Sequence, residues 1–291
     1  MIRTDVMPEF LKSPYPLVDR PRTPFVYGVT EILYCLRKSY LTRVVPAPTA
    51  VSFEQRRNFS RGRSLEESFF GPDQKPIHFR GGMVGVRDFS NVEGHTDHSD
   101  VDENGVPSIV EFKTTKHLWL SHPDGRKCFN VTQAKKYMTK DDIKLLELQP
   151  MQSHVDQLKL YMMLNEGIKR GVLIYFEMDS NSNYVFELTD ADISEEFKDT
   201  MKSRLDELDA AFKDSVVPQK SPGYDFECKL CNFMKNGICQ LCDQGGFNVD
   251  EFIADFQSRG DPHTFMVVVG EWLDKFNLSR SLISSFDENG T

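Results

Sequence analysis

What the sequence lacks narrows its possible roles. No uninterrupted apolar run approaches the roughly 20 residues needed to cross a bilayer, and the N-terminus has no charged-then-apolar export pattern. A cytoplasmic protein with no membrane partner is expected. Positive charge is not in excess: 35 Lys and Arg stand against 44 Asp and Glu, a net charge of −9, which excludes a uniformly basic nucleic-acid binder. No helicase motif and no internal repeat occurs. Cysteine is also scarce, with six in 291 residues. Without an export signal, these read as metal ligands rather than disulfides.

The charges are unevenly spread. Arg37, Lys38, Arg43, Arg56, Arg57, Arg61 and Arg63 face a single acid, Glu54, between Cys35 and Arg63. They form either a solvated basic face or a phosphate-contacting surface. From Glu177 to Asp214 acids dominate, so that half should face away from DNA.

Residues 1–24 carry five prolines and should form an extended arm. Helical spacing covers Thr30–Leu41, with Thr30 as N-cap and Cys35 in the middle. A second helix, whole or broken near Gly62, is expected over 53–70, with Glu66 and Glu67 on its later turn. Alternating runs on either side of Gly81-Gly82 read as a hairpin. Residues 117–147 read as polar and irregular, and strands are expected over 171–176 and 183–188. An acidic amphipathic helix follows over 192–213. Short helices are expected at about 248–258, 262–276 and 279–286.

The chemistry concentrates between Gly94 and Lys116, GHTDHSDVDENGVPSIVEFKTTK. Asp97 stands upstream of Glu111 and Lys113, which lie on an apolar strand. Two carboxylates and a lysine at a sheet rim supply oxygen ligands for a hard cation and an amine near a phosphate. Asn104-Gly105 signals a turn, but a two-residue loop there would set Asp97 opposite Phe112, on the wrong face for Glu111. The site therefore requires a bulge or an odd-numbered loop that returns Asp97 to the Glu111 face. Downstream, PMQSHVDQLKLYMMLN reads as a helix with His154, Gln157 and Tyr161 on one face. Val155, Leu158 and Met162 fall on a neighbouring, core-facing side. Without the other motifs, Glu111 and Lys113 would be an ordinary cross-strand ion pair.

Four cysteines, Cys228, Cys231, Cys239 and Cys242, fall within fifteen residues. Alone, they could form a self-contained zinc knuckle. Cys128 has no partner in sequence.

Asp97 in GHTD, Glu111 and Lys113 in VEFK, and the helix carrying Gln157 and Tyr161 resemble, in that order, the motifs of RecB-like nucleases of the PD-(D/E)XK superfamily. Cys35 with Cys228, Cys231 and a later cysteine resembles that group's iron-sulfur branch, most of all the CRISPR-associated RecB-like exonucleases. The resemblance spans residues 28–242, leaving an arm over 1–27 and a helical extension over 243–291. It implies a mixed α/β, restriction-endonuclease-like core sheet flanked by helices, with a cysteine-bound cluster joining the N- and C-terminal segments.

The same resemblance implies a Mn2+ or Mg2+ ion held by Glu66, Asp97, Glu111 and the backbone carbonyl of Phe112. Glu66 departs from the family, where a histidine is common, and Glu67 is its competitor. Lys113 would orient or activate the attacking water. Gln157 and Tyr161 would contact DNA or hold the site, and Arg61, Arg63, Lys116 and His154 would touch the nucleic acid. Cys35, Cys228, Cys231 and Cys239 would hold an iron-sulfur cluster, 4Fe-4S, with Cys242 as a competing ligand and structural Zn2+ as the alternative. The implied activity is exonucleolytic hydrolysis of single-stranded DNA ends before spacer integration in CRISPR adaptation, alongside the integrase complex. The alternatives are a repair nuclease working alone or with a separate helicase, and a non-catalytic zinc-containing DNA-binding module.

Overall fold

The computed structural model of the protein describes residues 25–45, 53–71, 77–84, 87–101, 103–115, 119–121, 127–128, 135–144, 147–165, 167–178, 182–224, 226–260 and 264–280. The expected N-terminal arm, Lys116 and most of the helix expected over 279–286 lie outside them. The chain is a mixed α/β protein that divides into two compact units, one from 27–29 and 59–200, the other from 1–26, 30–58 and 201–291. Among the described residues no helix is long and apolar enough to cross a membrane.

In chain order the elements begin with β1 (Tyr27–Gly28), α1 (Val29–Leu33), α2 (Leu36–Val44), α3 (Phe53–Phe70), β2 (His78–Arg80), β3 (Met83–Val84), β4 (Arg87–Asp88) and β5 (Val92–His95). Next come β6 (His98–Val101), β7 (Pro107–Thr115), β8 (Trp119–Ser121), β9 (Lys127–Cys128), α4 (Lys140–Lys144), β10 (Glu147–Gln149), α5 (Gln152–Leu164), β11 (Arg170–Glu177) and β12 (Ser182–Thr189). The rest are α6 (Glu195–Asp214), α7 (Glu227–Leu230), α8 (Asn232–Lys235), α9 (Ile238–Leu241), α10 (Val249–Ser258) and α11 (Phe265–Lys275).

The unit containing 59–200 is built on a four-stranded mixed sheet in the order β12-β11-β7-β6. β7 runs parallel to β11 and antiparallel to β6. Its sequence is rich in β-branched and aromatic residues, and Ser108 to Phe112 are buried, as a strand paired on both sides requires. α5 lies on one face. Leu158 and Met162 close on Gly171 of β11, where an added Cβ would come within 2.6 Å of Met162 Sδ, so only glycine admits this approach. α3 lies on the other face, with Phe69 and Phe70 against Phe112. α3 is continuous through Gly62, whose added Cβ would sit 3.2 Å from Thr114 Oγ1; the glycine seats the helix on the strand rather than breaking it.

Two local expectations are corrected. The hairpin across Gly81-Gly82 does not form: β2 pairs antiparallel with β5, and β3 pairs with β4. The Gly81 amide donates to Val92 O at 2.8 Å, carrying the β2–β5 pairing one residue further before the chain turns off. The span 117–147 is not wholly irregular, since β8, β9 and β10 form a small antiparallel sheet.

In the other unit, α6 presents Met201, Leu205, Leu208 and Ala211 as a buried stripe at helical spacing. The single helix expected over Thr30–Leu41 is two helices that break at Tyr34 and Cys35. Groups freed by the break are taken up by distant side chains. Cys35 N–H donates to Glu227 Oε2 at 2.7 Å, and Arg204 donates to the carbonyls of Ile32 and Tyr34. Cys35 is thus the N-cap residue of α2 rather than a mid-helix position. Arg37 and Arg43 do not belong to a solvated face. Arg37 is buried among Pro218 O, Cys239 and Asp243, and Arg43 is paired with Glu31 at 2.7 Å. α10 and α11 pack through Phe252, Phe256, Phe265 and Trp272, and the Trp272 indole donates to Asp255 Oδ2 at 2.8 Å.

Candidate active site

The β6–β7 hairpin pairs Val101 with Pro107 and His98 with Val110, so an odd number of residues, five, separates the paired ends, with Gly105 at φ 79°. An odd loop sets Asp97 in register with Glu111, which is the condition the sequence imposed. The irregularity that accompanies it lies at Thr96 and Asp97, where the chain leaves the β2–β5 pairing and enters β6–β7. Thr96 is fully buried and pins this step: its amide donates to Ile77 O at 3.0 Å and its hydroxyl to His98 O at 3.2 Å. The Asp97 carboxylate, just off the end of β6, accepts the Phe112 N–H at 2.7 Å. N–H and C=O of one strand residue face the same edge, so the Phe112 carbonyl also lies on the edge that Asp97 occupies.

Glu111 is only 3% exposed. Its Oε1 accepts Lys113 Nζ and, at 3.0 Å, Gln157 Nε2. The second Gln157 hydrogen goes to Tyr161 Oη at 2.7 Å. Glu111 Oε2 is buried with no hydrogen-bond partner. Burial pushes this carboxyl up to about 7, against the pull of Lys113, and the charges of Asp97 and Glu66 add to the rise. Burial also raises Asp97, opposed by the Phe112 N–H and by Lys113.

Glu66 is carried on α3 four residues after Gly62 and four before Phe70, on the side of the helix that meets β7. Its charge reaches Glu111, whereas Glu67 is exposed and pairs with Arg63 at 3.0 Å. The structure thus gathers Asp97, Glu111, Phe112, Lys113, Gln157 and Tyr161, while Glu66 acts on Glu111 through its charge, the smallest of the contributions. Arg61 and Arg63 stay exposed on α3.

His154 sits on the same face of α5 as Gln157. Burial, with the Lys113 charge behind it, lowers its pKa to about 3. Its Nδ1 is 2.8 Å from Tyr175 Oη. Tyr175 is fully buried and in register with Lys113 on the neighbouring strand. The motifs do not mark Tyr175; its position follows only from the β7–β11 pairing. Gly94 of β5 abuts Tyr161, and an added Cβ would lie 3.0 Å from Tyr161 Cε1.

Cys35, Cys228, Cys231 and Cys239 line one cavity together with Arg37 and Glu227; Cys242 is not in its wall. Arg37 NH1 donates to Cys239 Sγ at 3.6 Å and to Cys239 O at 3.1 Å. Burial raises the thiols of Cys231 and Cys239, and it pushes Cys242 up to about 12. Among the described residues no three His, Cys, Asp or Glu side chains already converge on one metal-ligating point, here or at Glu111.

No family model and no curated protein matches the chain. Among solved structures, it is similar to the crystal structure of SSO0001 at 18% identity, covering 73% of this chain and 85% of that one with a TM-score of 0.43. It is also similar to an alkaline exonuclease, LHK-Exo, from Laribacter hongkongensis at 12% identity, covering 66% and 91% with a TM-score of 0.33. The same exonuclease in complex with dAMP gives 13% identity, 64% and 93% coverage and a TM-score of 0.30.

Proposed function

We propose that the chain is a divalent-metal-dependent DNA exonuclease that hydrolyses phosphodiester bonds. The observation that carries this reading is Glu111 Oε2, a buried carboxylate oxygen without a partner beside two further carboxylates and a lysine. Burying such a group costs free energy unless something charged compensates it. An all-oxygen set of Asp97, Glu111, Glu66 and the Phe112 carbonyl suits Mg2+ or Mn2+.

When bound, the cation would supply acidity to a water and offset charge on the attacked phosphate. The residues of the chain do the rest. Gln157, itself held by Tyr161, fixes Glu111 by Oε1 and leaves Oε2 without a partner. Lys113 brings positive charge to the place where a phosphate would meet the carboxylates.

The cysteine-lined cavity supports a second part of the proposal, an iron-sulfur cluster of the 4Fe-4S kind with a structural role, held by Cys35, Cys228, Cys231 and Cys239. Cysteine is a soft ligand, and zinc is the competing occupant. Single-stranded ends as substrate, and a place in CRISPR adaptation before spacer integration, extend the proposal on the strength of the motif order alone.

The test is cleavage of end-labelled single-stranded DNA with Mn2+ or Mg2+ by wild type, Lys113→Ala and Asp97→Ala. Loss of cleavage in both variants supports the reading. Equal degradation by all three proteins would assign the activity to a contaminant, and DNA binding without cleavage would return the chain to the non-catalytic alternative.

A further inference from the structure

The hydrogen bonds around Tyr175 determine which nitrogen of His154 carries the proton. Tyr175 Oη accepts the Met151 N–H at 3.0 Å and lies 2.8 Å from His154 Nδ1. Tyr175 is 0% exposed, so water does not reach its hydroxyl hydrogen. Burial raises the phenol, which therefore keeps that hydrogen. If His154 Nδ1 were the donor, the phenol hydrogen would be buried without an acceptor, an arrangement that folded proteins avoid. With the phenol donating to Nδ1, the Met151 N–H, the Tyr175 hydroxyl and His154 Nδ1 are all satisfied.

We propose that Tyr175 is a positioning residue that holds His154 as the neutral tautomer protonated on Nε2, presenting a fixed N–H donor beside Lys113 to a phosphate oxygen of the substrate. Several observations converge on it. His154, Gln157 and Tyr161 share one face of α5, and the last two already reach Glu111 directly or through each other. Tyr175 stands next to Lys113 across the β7–β11 pairing, and the Lys113 charge acts on His154. Among the described residues, His154 Nε2 has no hydrogen-bond partner. A neutral donor also suits this place better than a second cation, because an imidazolium would stand against the Lys113 ammonium. The two strands thus make parallel contributions: β7 supplies Glu111 and Lys113, and β11 supplies the hydroxyl that orients a third group.

Use of the Nε2–H on a phosphate rests on the nuclease reading; the tautomer does not, and the experiment separates them. The full chain, labelled with 15N on histidine, is studied by long-range 1H–15N correlation NMR, with the His154 signals assigned from a His154→Gln sample. The expected wild-type pattern is an unprotonated Nδ1 and a protonated Nε2, turning in Tyr175→Phe into a mixture of the two tautomers while the other histidine signals keep their positions. A protonated Nδ1 in the wild type, or an unchanged His154 in a folded Tyr175→Phe protein, would overturn the assignment. In the cleavage assay, Tyr175→Phe should lower kcat/KM roughly tenfold, and His154→Gln, whose amide can still donate, should retain at least tenfold more activity than His154→Ala. Equal loss in the two His154 variants would overturn the donor role. A wild type that shows the tautomer but cleaves nothing would remove the nuclease reading and leave the Tyr175 assignment standing.

Discussion

Asp97 stands one residue before β6, opposite Glu111 if the β6–β7 register is carried one step further, and its carboxylate caps the N–H of Phe112, the residue after Glu111. One side chain therefore closes a gap in the ladder, and in the proposed function it would also be a cation ligand. The two roles separate by substitution. Asp97→Asn keeps an oxygen for the Phe112 N–H and should fold close to wild type while losing cation-induced stabilisation. Asp97→Ala leaves that N–H unpaired and should lose about 1–3 kcal/mol as well. Denaturant melts with and without Mn2+ check both; equal destabilisation by the two changes would contradict the capping role.

Glu111 makes stability depend on pH. Its folded pKa, about 7, lies above the ordinary 4.5. Below the ordinary value it is neutral in both states. Between the two, the unfolded chain ionises first, so stability falls as pH rises through this window, by on the order of 3 kcal/mol once deprotonation is complete. A cation binds the ionised form, so its stabilising effect should grow from pH 5 to pH 8. Glu111→Gln should flatten this part of the pH profile and abolish the cation response. Chemical denaturation in chelator across that range, then with Mg2+, decides; a cation effect independent of pH would count against Glu111 as ligand.

Gly94 sets how closely Tyr161 approaches. A Cβ there would stand 2.8 Å from Phe79 Cζ and 3.0 Å from Tyr161 Cε1. Gly94→Ala should cost about 1–3 kcal/mol through overpacking and reduce cleavage by displacing the ring that accepts from Gln157. Gly82→Ala, with nothing within 4 Å, should be close to neutral. Thermal melts of the two variants make the comparison.

Glu227 ties the cysteine-bearing segments together. Its carboxylate accepts the backbone N–H groups of Cys35 at 2.7 Å, Gly223 at 2.7 Å and Tyr224 at 2.9 Å. Glu227→Gln turns one acceptor into a donor facing an N–H, so the protein should purify with less bound iron and a lower melting temperature. Metal analysis after anaerobic purification reads this directly. Brown wild type that loses its colour in Cys35→Ala supports the cluster, and colourless wild type with stoichiometric zinc refutes it.

Much of the candidate site could be read along the chain because its signals are local. The Asp97, Glu111 and Lys113 spacing, the turn at Asn104-Gly105 and the one-sided run of His154, Gln157 and Tyr161 need only strand and helix periodicity. Periodicity also fixes the parity of the loop, since in a strand a period of two leaves each residue only two faces. It extends to the buried positions of α5, where Val155, Leu158 and Met162 are all in the core.

Other features depended on partners far away in sequence. Periodicity favours a continuous helix over Thr30–Leu41; Glu227 and Arg204, roughly 170 to 190 residues later, make a break at Cys35 affordable by taking up its backbone groups. The hairpin signal at Gly81-Gly82 was overridden because β5 offers β2 a longer partner than β3 does. Arg37 and Arg43 look like surface charge in one dimension and prove internal once Cys239, Asp243 and Glu31 surround them. The sequence by itself determined which residues could do chemistry and on which side of their own element they lie. Tertiary structure alone decided that Glu111 Oε2 would be buried without a partner and that Tyr175 would meet His154, because desolvation and cross-strand contact arise only when separate segments pack.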